Sequence, residues 1–96
     1  MLYALLCTDK PSSTELRAKL RPDHLAYLAS LGEKLKFAGP FLDDAASSIG
    51  SLVMIEAEDR TAAENTASLD PYKLAGLFAS VEIKAWRWAL KNPEAK

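Results

Sequence analysis

Leu2-Tyr3-Ala4-Leu5-Leu6-Cys7-Thr8 is apolar at odd and even positions alike. A strand with one solvated face alternates apolar and polar side chains, so this stretch reads as a strand covered on both faces. Leu52-Val53-Met54-Ile55 starts a second strand in the same way. With 96 residues, 49% of them hydrophobic, the chain has few elements with which to cover two faces of a sheet. A core of this size buries roughly 60 to 68% of the surface its unfolded chain exposes, which leaves little apolar area to spare.

Outward from the first strand, Asp9-Lys10-Pro11 ends it, and Ser12 with Glu15 has capping-box spacing, which predicts a helix from about Ser13. Pro22 has no backbone N–H and its ring crowds the carbonyl four residues back, so 14–31 reads as a short helix, a break and a second helix with Pro22 in its first turn. His24, Leu28 and Leu31 fall at i, i+4 and i+7, with His24 at one end of a core-facing stripe. Gly32 ends the helix. Lys34 to Ala38 alternates and reads as a half-exposed strand stopped by Gly39-Pro40, and Leu42 to Gly50 reads as a loop. Leu52 to Ala57 is the third strand. A helix opening at Asp59 or Thr61, with Thr61 and Glu64 at capping-box spacing, runs to Leu69, where Asp70-Pro71 forces a turn. A brief helical turn within 72–78, a last strand from Val81 to Leu90 and a frayed end over 92–96 complete the chain.

The order β, α (broken), β, β, α, β is a split βαβ, a ferredoxin-like α+β fold with both helices on one face of a four-stranded antiparallel sheet. Residues 1–96 form one domain in this reading, with no repeat or linker. The second sheet face remains apolar in three strands, so a homodimer stacked through that face is expected.

Twelve basic and thirteen acidic residues give a net charge of -1, the wrong balance for a nucleic-acid footprint. Trp86, Trp88 and Tyr3 invite a base-stacking interpretation, but Ser51 to Ala57 lacks the aromatic and basic pattern of an RNA-recognition strand. Cys7 is the only cysteine, so no internal disulfide can form, and its apolar setting suits a buried thiol in a reducing compartment. Leu2 to Cys7 is too short to span a membrane and has no signal-peptide flanks. A cytoplasmic protein with no membrane partner is expected.

Phosphate-binding loops, zinc-protease motifs and paired cysteines are all lacking, which removes the common enzyme classes that depend on them. One His and one Cys cannot build a nitrogen and sulfur zinc site within one chain, and His24 with carboxylates is the only looser metal alternative. His24 is the one side chain whose ordinary pKa lies near neutrality, hence the first candidate for general acid or base; a structural histidine at a helix edge is the competing interpretation. Asp70 sits in a forced turn where backbone amides can hold its carboxylate, as a plain turn aspartate or as the partner that orients His24. Arg21, at a helix entrance, is a candidate for an anionic group, whereas Arg17 reads as a solvated helix position. Ser51 is either a hydrogen-bond donor to substrate or a strand-start serine.

Met1-Leu2-Tyr3, Arg21-Pro22-x-His24-Leu25, Ala38-Gly39-Pro40, Gly50-Ser51 and Asp70-Pro71-Tyr72, in this order and spacing, resemble the YciI-related (YCII) family over roughly Met1 to Lys84. The resemblance implies a ferredoxin-like fold that dimerises through its sheets into an α+β barrel. It also implies a catalytic pair at His24 and Asp70 in a cleft near the dimer interface; Arg21 and Ser51, as read from the residues themselves, and Tyr72, next to Asp70-Pro71, are the candidates for binding the substrate. The activities it suggests are elimination or isomerisation of small ring compounds, and the expectation for this chain is proton transfer on a small cyclic or anionic molecule by the His24-Asp70 pair, without a cofactor or metal. A module of the same fold that binds a small molecule without chemistry is the alternative. The segment Phe41 to Ile49 and the tail from Trp86 depart from the family's usual pattern, so substrate identity does not carry over.

Overall fold

A computed structural model describes residues 1–94. In chain order it contains β1 (Leu2–Asp9), α1 (Thr14–Ser30), a 3-10 turn at Gly32–Lys34, β2 (Leu35–Leu42), β3 (Ser48–Glu56), α2 (Arg60–Ser68), α3 (Pro71–Leu74) and β4 (Phe78–Trp86). All strand pairs are antiparallel, in the order β2-β3-β1-β4, which is the ferredoxin-like α+β arrangement expected.

Several boundaries differ from expectation for physical reasons. α1 is one continuous helix with the exposed Pro22 inside it, not two helices with a break. An interior proline costs about 3 kcal/mol, but a single axis lets Arg17, His24 and Leu28 all be buried, and that packing prevails. Neither expected capping box forms: Ser12 lies outside α1 with a φ of 59°, and Asp59, not Thr61, caps α2 by accepting from Ala62 N at 2.8 Å. β2 runs on through Gly39-Pro40 to Leu42, which an edge strand permits because a proline there need not donate to a neighbour. β3 begins at Ser48, inside the expected loop, and the connection tightens around Asp43 Oδ1, which accepts from the amides of Ala45 and Ser47. β4 starts at Phe78 and ends at Trp86, earlier than expected at both ends.

Residues of one parity in β1 and β3, Tyr3, Leu5, Cys7, Val53 and Ile55, face the helices and pack with Leu28, Ala63, Tyr72, Leu77 and Phe78 in one core. Ala4 and Met54, of the opposite parity, are buried as well. Their cover comes partly from the chain itself. Phe37 on β2 meets Trp86 on β4 with ring centroids 6.0 Å apart, and both contact Trp88. Those strands are opposite edges, about 14 Å apart at the usual strand spacing, so the rings arch across the central strands. The tail continues to Glu94, which pairs with Lys36 at 3.2 Å; the rest of the end expected to fray, residues 95 and 96, lies outside the described residues.

Gly50 is required where β3 passes β1. A Cβ there would lie 2.4 Å from the carbonyl oxygen of Cys7, an immovable backbone atom. Gly50→Ala is expected to destabilise the fold by about 1–3 kcal/mol, as overpacking does, and to push the adjacent Ser51 out of place. Urea denaturation should show the midpoint falling with the slope unchanged; an unaltered midpoint would contradict the close approach.

Candidate active site

The site begins with a local necessity of the backbone. A residue before proline is held out of the helical region, and Asp70 is extended with ψ at 128° while Pro71 opens α3. In that position Asp70 caps α3, with Oδ1 accepting from Tyr72 N at 2.9 Å. The cap fixes the carboxylate beneath α1, where both oxygens lie 2.9 Å from His24 Nδ1. A carboxylate only accepts, so Nδ1 carries the proton and donates it. The His24 ring is stacked on Tyr72 with centroids 3.9 Å apart and planes 12° from parallel, which fixes its orientation a second time. Nε2 has no hydrogen-bond partner among the described residues and is not closed off from solvent. In the neutral ring its lone pair is therefore available.

Next to it is a cleft of about 380 Å³, walled by α1 through Arg17, Arg21, His24, Leu25 and Leu28 and by β2 and β3 through Ala38, Pro40, Ser48, Ser51 and Val53. The cleft lies between α1 and the edge strand β2, whose residues from Phe37 to Leu42 are exposed. Its walls are mostly apolar with a few convergent polar groups, the usual make-up of a small-molecule site.

Arg17 is buried, contrary to the solvated position expected for it. Its Nη1 donates to both carboxylate oxygens of Asp9 at 2.9 Å, its Nη2 donates to Ser51 Oγ at 2.5 Å, and its guanidinium carbon lies 4.7 Å from the centre of the Tyr72 ring. A register shift between Thr8 and Asp9 in the pairing of β1 with β4, where Thr8 faces Ser80 and Asp9 faces Phe78, leaves Ala79 as the extra residue of a bulge beside Asp9. Arg17 and Asp9 both had sequence signals. Arg17 is two helical turns before His24, and Asp9 continues the inward parity of Tyr3, Leu5 and Cys7. A helix broken at Pro22 would detach Arg17 from the stripe of His24; the continuous α1 keeps them on one face.

His24 and Asp70 are in contact, and Ser51 lines the same cleft as His24. Arg21 reaches the cleft mouth and remains exposed, with no ion-pair partner among the described residues. Tyr72 is corrected in position: at 1% exposure it belongs to the core behind His24 and Arg17 and does not line the cleft. Burial pushes the Cys7 thiol up to about 12, with Asp70 and Asp9 adding to the effect and Arg17 offsetting part of it, so this cysteine is no nucleophile near neutral pH. Burial likewise raises the Tyr27 and Tyr72 phenols above their ordinary range. Among the described residues no cluster of three or more His, Cys, Asp or Glu side chains suits a metal ion, and no helix is long and apolar enough to cross a membrane.

Comparison with known proteins places the chain in a family. A solved structure of 5-chloro-2-hydroxyhydroquinone dehydrochlorinase from Burkholderia phenoliruptrix, in complex with 2,5-dihydroxybenzoquinone, is 32% identical and superposes with a TM-score of 0.85 over 93% of this chain and 96% of that one. A NIPSNAP family protein from Agrobacterium tumefaciens, 14% identical with a TM-score of 0.58, shares the fold. The YciI protein of an Escherichia coli strain is 39% identical over 95 residues, covering 91% of this chain and 97% of the relative, and a Haemophilus influenzae protein is 36% identical over the same length. The profile of the YCII-related domain matches residues 1–87, from the first strand through the last, and so takes in His24, Asp70 and every wall of the cleft. On that match and those identities, the chain belongs to the YCII-related family.

Proposed function

We propose that the chain is an enzyme that moves a proton on a small oxygenated ring, with His24 as the base and Asp70 as the group that orients it. The observation that carries this reading is the pairing of a fully held Nδ1 with an open Nε2 at the cleft. Nε2 takes a proton from the substrate. The electron pair left behind moves onto a ring oxygen or expels a leaving group from the neighbouring carbon, and the Asp70 carboxylate stabilises the imidazolium formed. The imidazolium then returns its proton to another substrate atom or to water. Ser51 and Arg21, which line the cleft, are the donors available to the oxygen that gains charge. The dehydrochlorinase supports this class of substrate, since the ligand in its structure, 2,5-dihydroxybenzoquinone, is a small ring bearing oxygens.

The test uses two probes. Chloride release from 5-chloro-2-hydroxyhydroquinone, and deuterium exchange into the ring C–H positions of 2,5-dihydroxybenzoquinone in D2O, should run faster with the protein than in buffer. At least one of the accelerations should disappear with His24→Gln. If neither reaction is accelerated, the proposed activity is wrong.

The exposed Phe41, Leu42 and Ile49 at the hairpin between β2 and β3, and the half-buried Leu52 and Leu6, support a homodimer that covers them. Light scattering at micromolar concentration should give twice the 10.5 kDa chain mass. A monomer alone at that concentration would contradict the dimer.

A further inference from the structure

The geometry points to Arg17 as a positioning residue that turns the Ser51 hydroxyl into a fixed hydrogen-bond donor aimed at a ligand oxygen in the cleft. This rests on the cleft taking an oxygenated ring, as proposed above. A serine hydroxyl ordinarily rotates between donating and accepting roles. Here one side is decided, because a guanidinium has only donors, so at Ser51 Oγ the bond from Arg17 Nη2 must be accepted. The hydroxyl hydrogen must then go elsewhere. Ser51 is 2% exposed, its hydroxyl donates to no acceptor among the described residues, and the residue lines the cleft. The free donor is left for an oxygen bound in the cleft.

Arg17 is itself immobilised from three sides. Asp9 accepts twice from Nη1, Ser51 accepts from Nη2, and the guanidinium lies against Tyr72. Asp9 also balances its charge, so Arg17 does not act as a free cation for the ligand; Arg21 at the mouth has that freedom. What Arg17 supplies is direction, and polarisation of the Ser51 O–H by a charged donor. Tyr72 ties this half of the site to the other, since the ring beside Arg17 is also the ring stacked on His24. The cleft is thereby furnished on one wall with a lone pair at His24 Nε2 and on another with a donor at Ser51. That complementarity suits a ring carrying a removable proton and an oxygen that becomes charged.

Affinity for 2,5-dihydroxybenzoquinone, read from the ligand's visible absorption, tests the inference in a double-mutant cycle. Ser51→Ala should weaken binding about tenfold, as the loss of one hydrogen bond to a charged oxygen does. Arg17→Lys keeps a cation beside Asp9 but loses the fork that reaches Ser51, and should weaken binding several-fold. The double variant should be no worse than Ser51→Ala alone, because both changes remove the same bond. Additive losses, or an Arg17→Lys protein that binds as wild type, would overturn the inference; thermal unfolding of each variant separates loss of fold from loss of direction. A neutron structure of the unliganded protein decides the same point without ligand. Deuterium on Ser51 Oγ directed into the cleft supports it, and deuterium directed at a protein acceptor overturns it. If the wild type fails to bind the quinone while the deuterium points into the cleft, the substrate class is wrong and the positioning role stands.

Discussion

His24→Gln is expected to lower turnover by about 10²- to 10⁴-fold while the protein stays folded, the range in which a positioned general base contributes. Glutamine keeps an amide N–H that can donate to Asp70 and keeps most of the side-chain volume, so the buried carboxylate is not stranded. It has no lone pair of comparable basicity to present to the cleft. Alanine would confuse two effects, because it leaves Asp70 buried with only the Tyr72 amide as partner. The measurement is kcat and KM on either probe together with a urea midpoint. A variant that keeps its turnover would show that His24 only supports the fold.

Arg17→Met should have the largest effect on stability. The Arg17 and Asp9 side chains are 9% and 5% exposed, so removing the guanidinium leaves a carboxylate out of water with no cation beside it. Breaking a buried pair from one side costs about 3–5 kcal/mol, a large part of the roughly 5–15 kcal/mol that holds an ordinary domain together. The companion variant separates the charge penalty from packing. Asp9→Leu combined with Arg17→Met removes both charges and should recover most of the stability, because a buried pair replaced by apolar groups is often neutral or better. Denaturant midpoints of the three variants check this. If the single Arg17→Met protein is as stable as wild type, Asp9 and Arg17 are not the buried pair described.

The sheet was legible from periodicity because burial on two faces leaves a mark that local exceptions cannot erase. The Asp70 turn was legible because a residue before proline has few conformations. Elements governed by a contest between local and distant forces were not. Pro22 is locally a helix breaker, yet α1 continues because Arg17, His24 and Leu28 must share one face. Gly39-Pro40 is locally a stop, yet an edge strand tolerates it. The buried Arg17 to Asp9 pair depends on that continuity, which the local signal of Pro22 opposes. The aromatic arch of Phe37, Trp86 and Trp88 joins opposite edges of the sheet, a contact that no spacing within one strand announces.

His24 is the only histidine, so one labelled imidazole gives two unambiguous nitrogen signals. ¹⁵N NMR of the histidine-labelled protein, with and without 2,5-dihydroxybenzoquinone, tests most directly whether a held ring offers an open base to the cleft. Nδ1 should carry the proton, with the far-downfield proton shift of a bond to a carboxylate, and Nε2 should be the unprotonated nitrogen of the neutral ring and shift when the quinone is added. A ring protonated at Nε2 with Nδ1 bare, or an Nε2 signal unmoved by saturating quinone, would contradict the account.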